Sequence, residues 1–196
     1  PGINAAVRAV IRTALHHGIE VMGVQRCYAG LVNGELFKMD RKSVSDIINK
    51  GGTILRTARC VEFKQEEVRE KAAGILKAYG VDALVVCGGD GSFMGAKLLS
   101  KLGVKTVGLP GTIDNDLPYT DYTIGFDTAL NTIVEDIGKL RDTSSSHERV
   151  SVIEVMGRNC GDLALFAGIA GGAEAILVPE LGFDKDELCR KILEGK

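Results

Sequence analysis

Val85-Val86-Cys87-Gly88-Gly89-Asp90-Gly91-Ser92 decides the fold of this chain. The β-branched apolar run from Ala83 to Val86 stops at two glycines, a carboxylate, a third glycine and a hydroxyl. Apolar residues then resume at helical spacing from Phe93 to Leu102. The pattern predicts a strand that feeds a helix through a turn almost bare of side chains. Backbone N–H groups in such a turn approach phosphate oxygens at a positively polarised helix N-terminus. Asp90 adds an anion that repels phosphate unless a metal lies between them. The turn therefore has two readings, a nucleotide–Mg²⁺ site or a tight structural corner.

Outward from that turn, strand 82–87, helix 92–102 with Gly103 as its stop, and strand Val104–Leu109 form a short-looped parallel β-α-β unit. Upstream, Asn4 has the chemistry of an N-cap for a helix from Ala5 to about His17. Its apolar face is Ala6, Val7, Val10, Ile11, Ala14 and Leu15. Ile19–Val24 reads as a strand, residues 27–41 as an irregular loop with a short hairpin, and Ser43–Asn49 as a helical turn. Glu66–Tyr79 is amphipathic, with acids in its first turn and Gly80 past its end. Downstream, the pattern predicts a long helix from about Phe126 and a flexible loop over 143–149. A strand over Val150–Met156, a helix over 161–170 and a strand over Ala175–Val178 follow. A final helix is introduced by a capping box of Asp184 and Glu187. Alternating strands and helices define an α/β protein with a mainly parallel sheet.

The composition agrees. The 196 residues are 45% hydrophobic, with 25 glycines against 4 prolines and no tryptophan. Net charge is −2 with both signs interspersed, which gives no global basic field for nucleic acid. No apolar run approaches the roughly 20 residues of a membrane span. Five dispersed cysteines, without a C-x-x-C, and three histidines indicate neither zinc nor a disulfide framework, and fit reduced thiols in the cytoplasm. The first residue is Pro1 and the last, Lys196, falls on a predicted helix; we read the chain as an internal piece of a longer polypeptide.

Each polar loop with chemical potential follows a predicted strand, where open α/β sheets place ligands. Besides the glycine turn these are Pro110-Gly111-Thr112-Ile113-Asp114-Asn115-Asp116 and Gly157-Arg158-Asn159. Gly51-Gly52-Thr53, followed by Arg59-Cys60, adds arginines near another glycine turn. Carboxylates, hydroxyls and arginines together suit phosphoryl transfer, which needs positioning, charge neutralisation and a base for the accepting hydroxyl. Spacing alone leaves alternatives open. Asp114 and Asp116 read as a base and a metal ligand, or as Asx-turn formers. Arg158 reads as a phosphate clamp, or as the salt-bridge partner of Glu154 or Asp162. Arg8 and Arg12, one helical turn apart without an intervening acid, read as a solvated face or as phosphate ligands. His147, without a nucleophile–acid arrangement, reads as structural.

Taken together, GGDGS at 88–92, PGTIDND at 110–116, RDTSSSHER at 141–149 and VMGR at 155–158 resemble the ATP-dependent 6-phosphofructokinase family of the bacterial type in order and spacing. The resemblance covers the whole chain, including Asn4-Ala5-Ala6 and Ser43-Val44-Ser45-Asp46. It implies two Rossmann-like three-layer α/β/α domains with mainly parallel sheets and the active site in the cleft between them. Residues 1–125 would be the nucleotide-binding domain without its first strand, and 126–196 the first part of the sugar-phosphate-binding domain.

The same resemblance implies a kinase of glycolysis that passes the γ-phosphoryl of MgATP to the 1-hydroxyl of fructose 6-phosphate. Asp114 would be the general base, with Thr112 beside the transferring group and Asp116 in support. Asp90 would engage Mg²⁺, while Arg59, Cys60, Gly89, Gly91 and Ser92 line the ATP. Thr112, Ile113, Asp114, Met156, Gly157 and Arg158 would hold the sugar phosphate, Arg158 also stabilising charge on the transferred group. Arg149 would reach into a neighbouring subunit's site, making the enzyme a homo-oligomer, usually a tetramer. Glu148 beside it matches the family's switch position. Arg8, Arg12, Arg41, Ser45, Arg141, Gly172 and Glu174 match an effector site for ADP or phosphoenolpyruvate.

Three rivals stand beside this reading. The pyrophosphate-dependent branch typically carries Asp at the position of Gly91 and Lys at that of Gly111, where side chains occupy room for the nucleotide's α-phosphate. A GGDG-type kinase acting on NAD or a lipid gives the 144–149 and 156–158 segments no role. A non-catalytic effector-binding subunit would not need Asp90, Thr112, Asp114 and Arg158 together.

Overall fold

The computed structural model describes residues 1–194; Gly195 and Lys196, the end of the expected 126–196 region, lie outside the described residues. The chain divides into two compact units, Gly2–Gly111 and Thr112 onward, the latter grouped with Pro1. The loop after residue 111 thus belongs with the later helices, whereas sequence reasoning drew the division at 125/126.

The first unit opens with α1 (Ile3–His16), which starts after Gly2 at φ +79° and ends before Gly18 at φ +72°. Asn4 does not cap it. The residue lies inside the helix, 2% exposed, because Gly2 already supplies the left-handed entry. Its carboxamide donates to the Lys50 carbonyl at 2.9 Å and accepts the Ile54 N–H at 2.8 Å, so it anchors the 50–54 segment. Strand β1 (Val21–Val24) pairs antiparallel with β2 (Leu36–Met39), Val21 opposite Met39. Between them, where an irregular loop was expected, lies α2 (Cys27–Val32). Gly30 permits it: a Cβ there would sit 1.6 Å from the Gln25 carbonyl oxygen.

A 3₁₀ turn (Val61–Lys64) leads into α3 (Glu66–Ala78), which closes before Gly80 at φ +67°. Strand β3 (Ala83–Gly88), α4 (Asp90–Lys101) and β4 (Lys105–Pro110) form the expected β-α-β unit, β3 and β4 being parallel with Val85 opposite Val107. One core joins Leu31, Phe63, Ala72, Leu76 and Leu99; a second, under α1, joins Ile11, Met39, Val44 and Ile47.

The second unit contains α5 (Phe126–Ser146), α6 (Asp162–Gly171) and α7 (Lys185–Glu194). Phe126 is fully buried and meets Phe166 edge-on at 5.9 Å. Small residues let neighbours close on α6, since a Cβ on Gly171 would meet Ile137 at 2.8 Å and one on Gly168 would meet Ile176 at 2.6 Å. Two expectations fail here. The run 143–146 is helical rather than loop, its hydroxyls satisfied along the helix, as when Ser146 Oγ donates to the Asp142 carbonyl at 2.8 Å. Segments 150–156 and 175–178 form no ladder among the described residues, because a strand needs a neighbour to accept its hydrogen bonds. Asp184 does cap α7, accepting from the N–H groups of Asp186 at 2.8 Å and Glu187 at 3.3 Å. Glu187 itself pairs with Lys191.

Candidate active site

In the first unit, the glycine turn lies where sequence reasoning put it, with the helix starting two residues earlier. Gly89 precedes α4, and Ser92 and Phe93 return their N–H groups to the Gly89 carbonyl at 3.0 and 3.1 Å. The N–H groups of Asp90 and Gly91 belong to the helix start, where no intrahelical acceptor exists. Gly88 is needed by the turn itself: a Cβ there would meet Ser92 Oγ at 2.5 Å. Gly91 is different. A Cβ on it would meet nothing within 4 Å, so protein packing gives no reason for the missing side chain. Gly111 has such a reason, since a Cβ there would press on Cys87 Sγ and Ile3 Cδ1, each at 2.7 Å.

Asp90 is exposed at the first position of α4. Arg59 is exposed, and Cys60 is half-buried against the Leu31–Leu99 core, where burial pushes its thiol pKa up. The segment after them is tied to the glycine turn by Tyr28. Its ring stacks on Phe63 at 4.1 Å, and its hydroxyl donates to the Ser92 carbonyl at 2.6 Å. Burial drives the Tyr28 hydroxyl pKa up, so this donor stays protonated.

In the second unit, Thr112 to Asp116 form a loop that folds back on itself. Asp114 N–H donates to Thr112 Oγ1 at 3.2 Å. Burial, then the neighbouring Asp116 carboxylate, raise the Asp114 carboxyl above its ordinary value, while Arg158 pulls it down. Thus Asp114 feels both Asp116 and Arg158, and Thr112 is bonded to the same loop. Arg158, at φ +54°, forms no salt bridge with Glu154 or Asp162 among the described residues. Gly157 before it, at φ +142°, admits no side chain, because a Cβ would lie 2.4 Å from the Cys160 carbonyl oxygen. Met156 is 70% exposed, and Ile113 is half-buried. Arg149 is exposed just after α5, its N–H donating to the Ser144 carbonyl at 3.0 Å. His147 Nδ1 lies 3.0 Å from the Thr143 carbonyl, in keeping with a structural role.

The seven expected effector residues fall in both units. Half-buried Arg8 donates to the Val44 carbonyl, next to Ser45, whose hydroxyl bonds the Arg41 carbonyl at 3.3 Å; Arg12 is exposed. In the other unit, Arg141 donates to the Gly171 and Gly172 carbonyls at the end of α6. Gly172 is at φ +67°, and a Cβ on it would meet Arg141 Nη1 at 2.5 Å. Glu174 is exposed two residues on.

The profile of the family described as PFK, phosphofructokinase, matches residues 1–196. The chain belongs to the phosphofructokinase family. It is 85% identical over 196 residues to "ATP-dependent 6-phosphofructokinase 1" of Clostridium perfringens (strain 13 / Type A), covering all of this chain and 61% of that protein. It is 78% identical over 197 residues to an "ATP-dependent 6-phosphofructokinase" of Clostridium botulinum (strain Alaska E43 / Type E3), covering 62% of it. The chain thus spans about three fifths of the length of these relatives. Among solved structures, it superposes on phosphofructokinase from Saccharomyces cerevisiae with a TM-score of 0.89 and 44% identity, over 100% of this chain and 30% of that one. A pyrophosphate-dependent phosphofructokinase from Marinobacter aquaeolei gives a TM-score of 0.81 at 26% identity, over 97% and 53%.

Tyr28, Asn115 and Thr123 were given no role by sequence reasoning, and Asp162 was read only as a possible partner of Arg158, whereas it pairs with Asn115. Asn115 stands at φ +56°, a conformation that Asn tolerates better than most residues, and this was its one legible signal. Its side chain donates to Asp162 Oδ2 at 2.8 Å and accepts the Thr123 N–H at 2.9 Å. Thr123, 4% exposed, donates its hydroxyl to the Thr112 carbonyl at 2.6 Å. These partners are 8 to 47 residues apart, beyond any local pattern.

Proposed function

We propose that the polypeptide carrying this chain transfers the γ-phosphoryl of ATP to the 1-hydroxyl of fructose 6-phosphate, giving fructose 1,6-bisphosphate and ADP. The observation that carries the reading is Asp114. Its half-buried carboxyl is held above the ordinary value by burial and Asp116, and it feels Arg158, which forms no salt bridge among the described residues. A general base works best when its pKa is moved toward the operating pH. Family membership and the names of the 85% and 78% identical relatives support this substrate pair. The open space beside Gly91 supports ATP over pyrophosphate, since a side chain there is excluded by nothing in the protein itself. Gly111 adds less, because Cys87 and Ile3 already account for it.

In this reading Asp114 accepts the proton of the attacking hydroxyl, and Thr112 and Ile113 place the acceptor. Met156, Gly157 and Arg158 hold the sugar, and Arg158 offers its guanidinium to the charge that develops on the transferred group. Gly89, Gly91 and Ser92 offer the start of α4 to the nucleotide phosphates, with Arg59 and Cys60 flanking it. Asp90 would hold Mg²⁺, with Asp116 supporting the metal region. The exposed Asp90 carboxylate at the start of α4 suits Mg²⁺, which typically binds through one or two carboxylates plus substrate phosphates. When bound, Mg²⁺ supplies neutralisation of phosphate charge.

The assembly is a cytoplasmic homo-oligomer in this proposal, a tetramer in which Arg149 serves a neighbouring subunit's sugar phosphate. Arg8, Arg12, Arg41, Ser45, Arg141, Gly172 and Glu174 bind ADP or phosphoenolpyruvate. No helix among the described residues is long and apolar enough to cross a membrane. The test is a coupled assay of the full-length polypeptide with fructose 6-phosphate, comparing ATP with pyrophosphate. Turnover with ATP that falls at least about 10²–10⁴-fold in Asp114→Ala is expected. A preference for pyrophosphate, or near-normal turnover in that variant, overturns the reading.

A further inference from the structure

The loop that carries Asp114 and the loop that carries Arg158 come from segments more than forty residues apart in sequence. Two short loops hold a base and a cation in working register only if something fixes one against the other, since a displacement of about 1 Å can cost 10²-fold in rate. Among the described residues, the side-chain hydrogen bond between the two segments runs through Asn115. Asn115 lies between Asp114 and Asp116 in the left-handed region, at φ +56°. Its Nδ2 donates to Asp162 Oδ2 at 2.8 Å, and more weakly to the Asp121 carbonyl at 3.3 Å. Its Oδ1 accepts from Thr123 N–H at 2.9 Å, with Thr123 Oγ1 3.3 Å away. Thr123 Oγ1 also reaches the Thr112 carbonyl at 2.6 Å.

The other end of this chain of bonds is equally placed. Asp162 is the first residue of α6, and the five residues before it are Gly157 to Gly161. Their shape is set by the Cys160 N–H bond to the Gly157 carbonyl at 2.9 Å and by Gly161 N–H on Glu180 Oε1 at 2.7 Å. A proton donor on Asn115 and a carboxylate on Asp162 make this a charge-assisted bond, roughly twice as strong as a neutral one. Thr123 is buried and Asn115 half-buried, so water competes poorly for the network.

We propose that Asn115 and Asp162 form a clamp that sets the position of Asp114 relative to Arg158, with Thr123 as its second attachment to the Thr112 loop. Both are positioning residues, because neither is asked to touch the reacting atoms. The inference rests on the reading of Asp114 as the base. The clamp has a donor at 115 and an acceptor at 162, so it can be broken and remade with the polarity reversed. Asn115→Asp sets two carboxylates against each other, and Asp162→Ala removes the acceptor. The double variant Asn115→Asp with Asp162→Asn restores one donor and one acceptor, forfeiting only the weak bond to Asp121.

In the full-length enzyme, each single substitution should lower kcat by roughly 10- to 100-fold with little change in KM for ATP. The double variant should recover to within about fivefold of the unsubstituted enzyme. Equal losses in the double variant, or single variants with normal kcat, overturn the clamp. Failure of the base assignment is distinct: it appears as normal turnover in Asp114→Ala, or as no transfer to fructose 6-phosphate in the unsubstituted protein. The clamp is then judged by amide hydrogen exchange at Thr123. Protection lost in Asp162→Ala and regained in the reversed pair sustains it; protection unchanged in Asp162→Ala overturns it.

Discussion

Tyr28 reaches across 64 residues of sequence to donate its hydroxyl to the Ser92 carbonyl at 2.6 Å. That bond fixes the first turn of α4, where the candidate nucleotide site begins. The ring is held separately, stacked on Phe63, and a Cβ on Gly95 would come within 2.6 Å of it. Tyr28→Phe therefore isolates the hydroxyl. It should lower stability by about 0.5–1.5 kcal/mol, read by urea unfolding, and raise KM for ATP several-fold while leaving KM for fructose 6-phosphate unchanged. An unchanged KM for ATP would mean that the first turn holds its shape without Tyr28.

The β3–turn–α4–β4 unit was legible because run length, glycines and helical spacing are local signals. Even its error was local: the helix begins at Asp90 rather than Ser92 because Gly89 takes the position before it. Asn4 was misread for the opposite reason. An Asn before a helical run has the chemistry of a cap, but its partners, Lys50 and Ile54, lie about fifty residues away. The Ser/Thr run at 143–146 resembled a loop by composition, yet back-bonding to carbonyls one turn earlier keeps it helical. Asp114 and Arg158 were legible as chemical types, Asp114 in the loop after β4 and Arg158 after a segment that forms no ladder among the described residues. Their mutual influence was not, because Asn115, Thr123 and Asp162 meet only once the second unit is folded.

The Asp114 carboxyl gives a pH prediction with a definite sign. A base must be deprotonated to act, so kcat/KM should fall on the acid side through an apparent pKa above the ordinary carboxylate value. Burial and Asp116 raise it, and Arg158 lowers it. Asp116→Asn removes a raising influence, so its acid limb should move to lower pH. Arg158→Gln removes the lowering influence, so its residual activity should show a limb at higher pH. Limbs that coincide with that of the unsubstituted enzyme would remove Asp114 from the pH profile. The linkage runs the same way. A raised carboxyl works against the folded state once ionised, and this cost fades as pH falls through the raised value.

Asn4 offers a stability test away from the chemistry. It is 2% exposed and serves as donor to Lys50 and acceptor for Ile54. Asn4→Ala leaves both backbone groups without their partner and should cost about 1–3 kcal/mol, measured by denaturant unfolding. Asn4→Asp keeps the acceptor for Ile54 N–H but sets a carboxylate against the Lys50 carbonyl, so it should not rescue. A cost near zero for the alanine variant would show that water replaces both bonds.

Gly91 and Gly111 make a matched pair whose substitutions should separate fold from specificity. A Cβ on Gly91 meets nothing within 4 Å, and its φ lies outside the left-handed region, so Gly91→Asp should fold with stability within about 1 kcal/mol of the unsubstituted protein. The new carboxylate would stand beside Asp90 at the start of α4, where the nucleotide phosphates are proposed to lie. KM for ATP should therefore rise by at least about tenfold, equivalent to roughly 1.4 kcal/mol of binding. Gly111→Ala should behave in reverse. Its Cβ would press on Cys87 Sγ and Ile3 Cδ1 at 2.7 Å each, an overpacking that typically costs about 1–3 kcal/mol. Its loss should appear in thermal unfolding before it appears in KM. If Gly91→Asp kept normal KM for ATP, the open space beside α4 would have no part in choosing the phosphoryl donor.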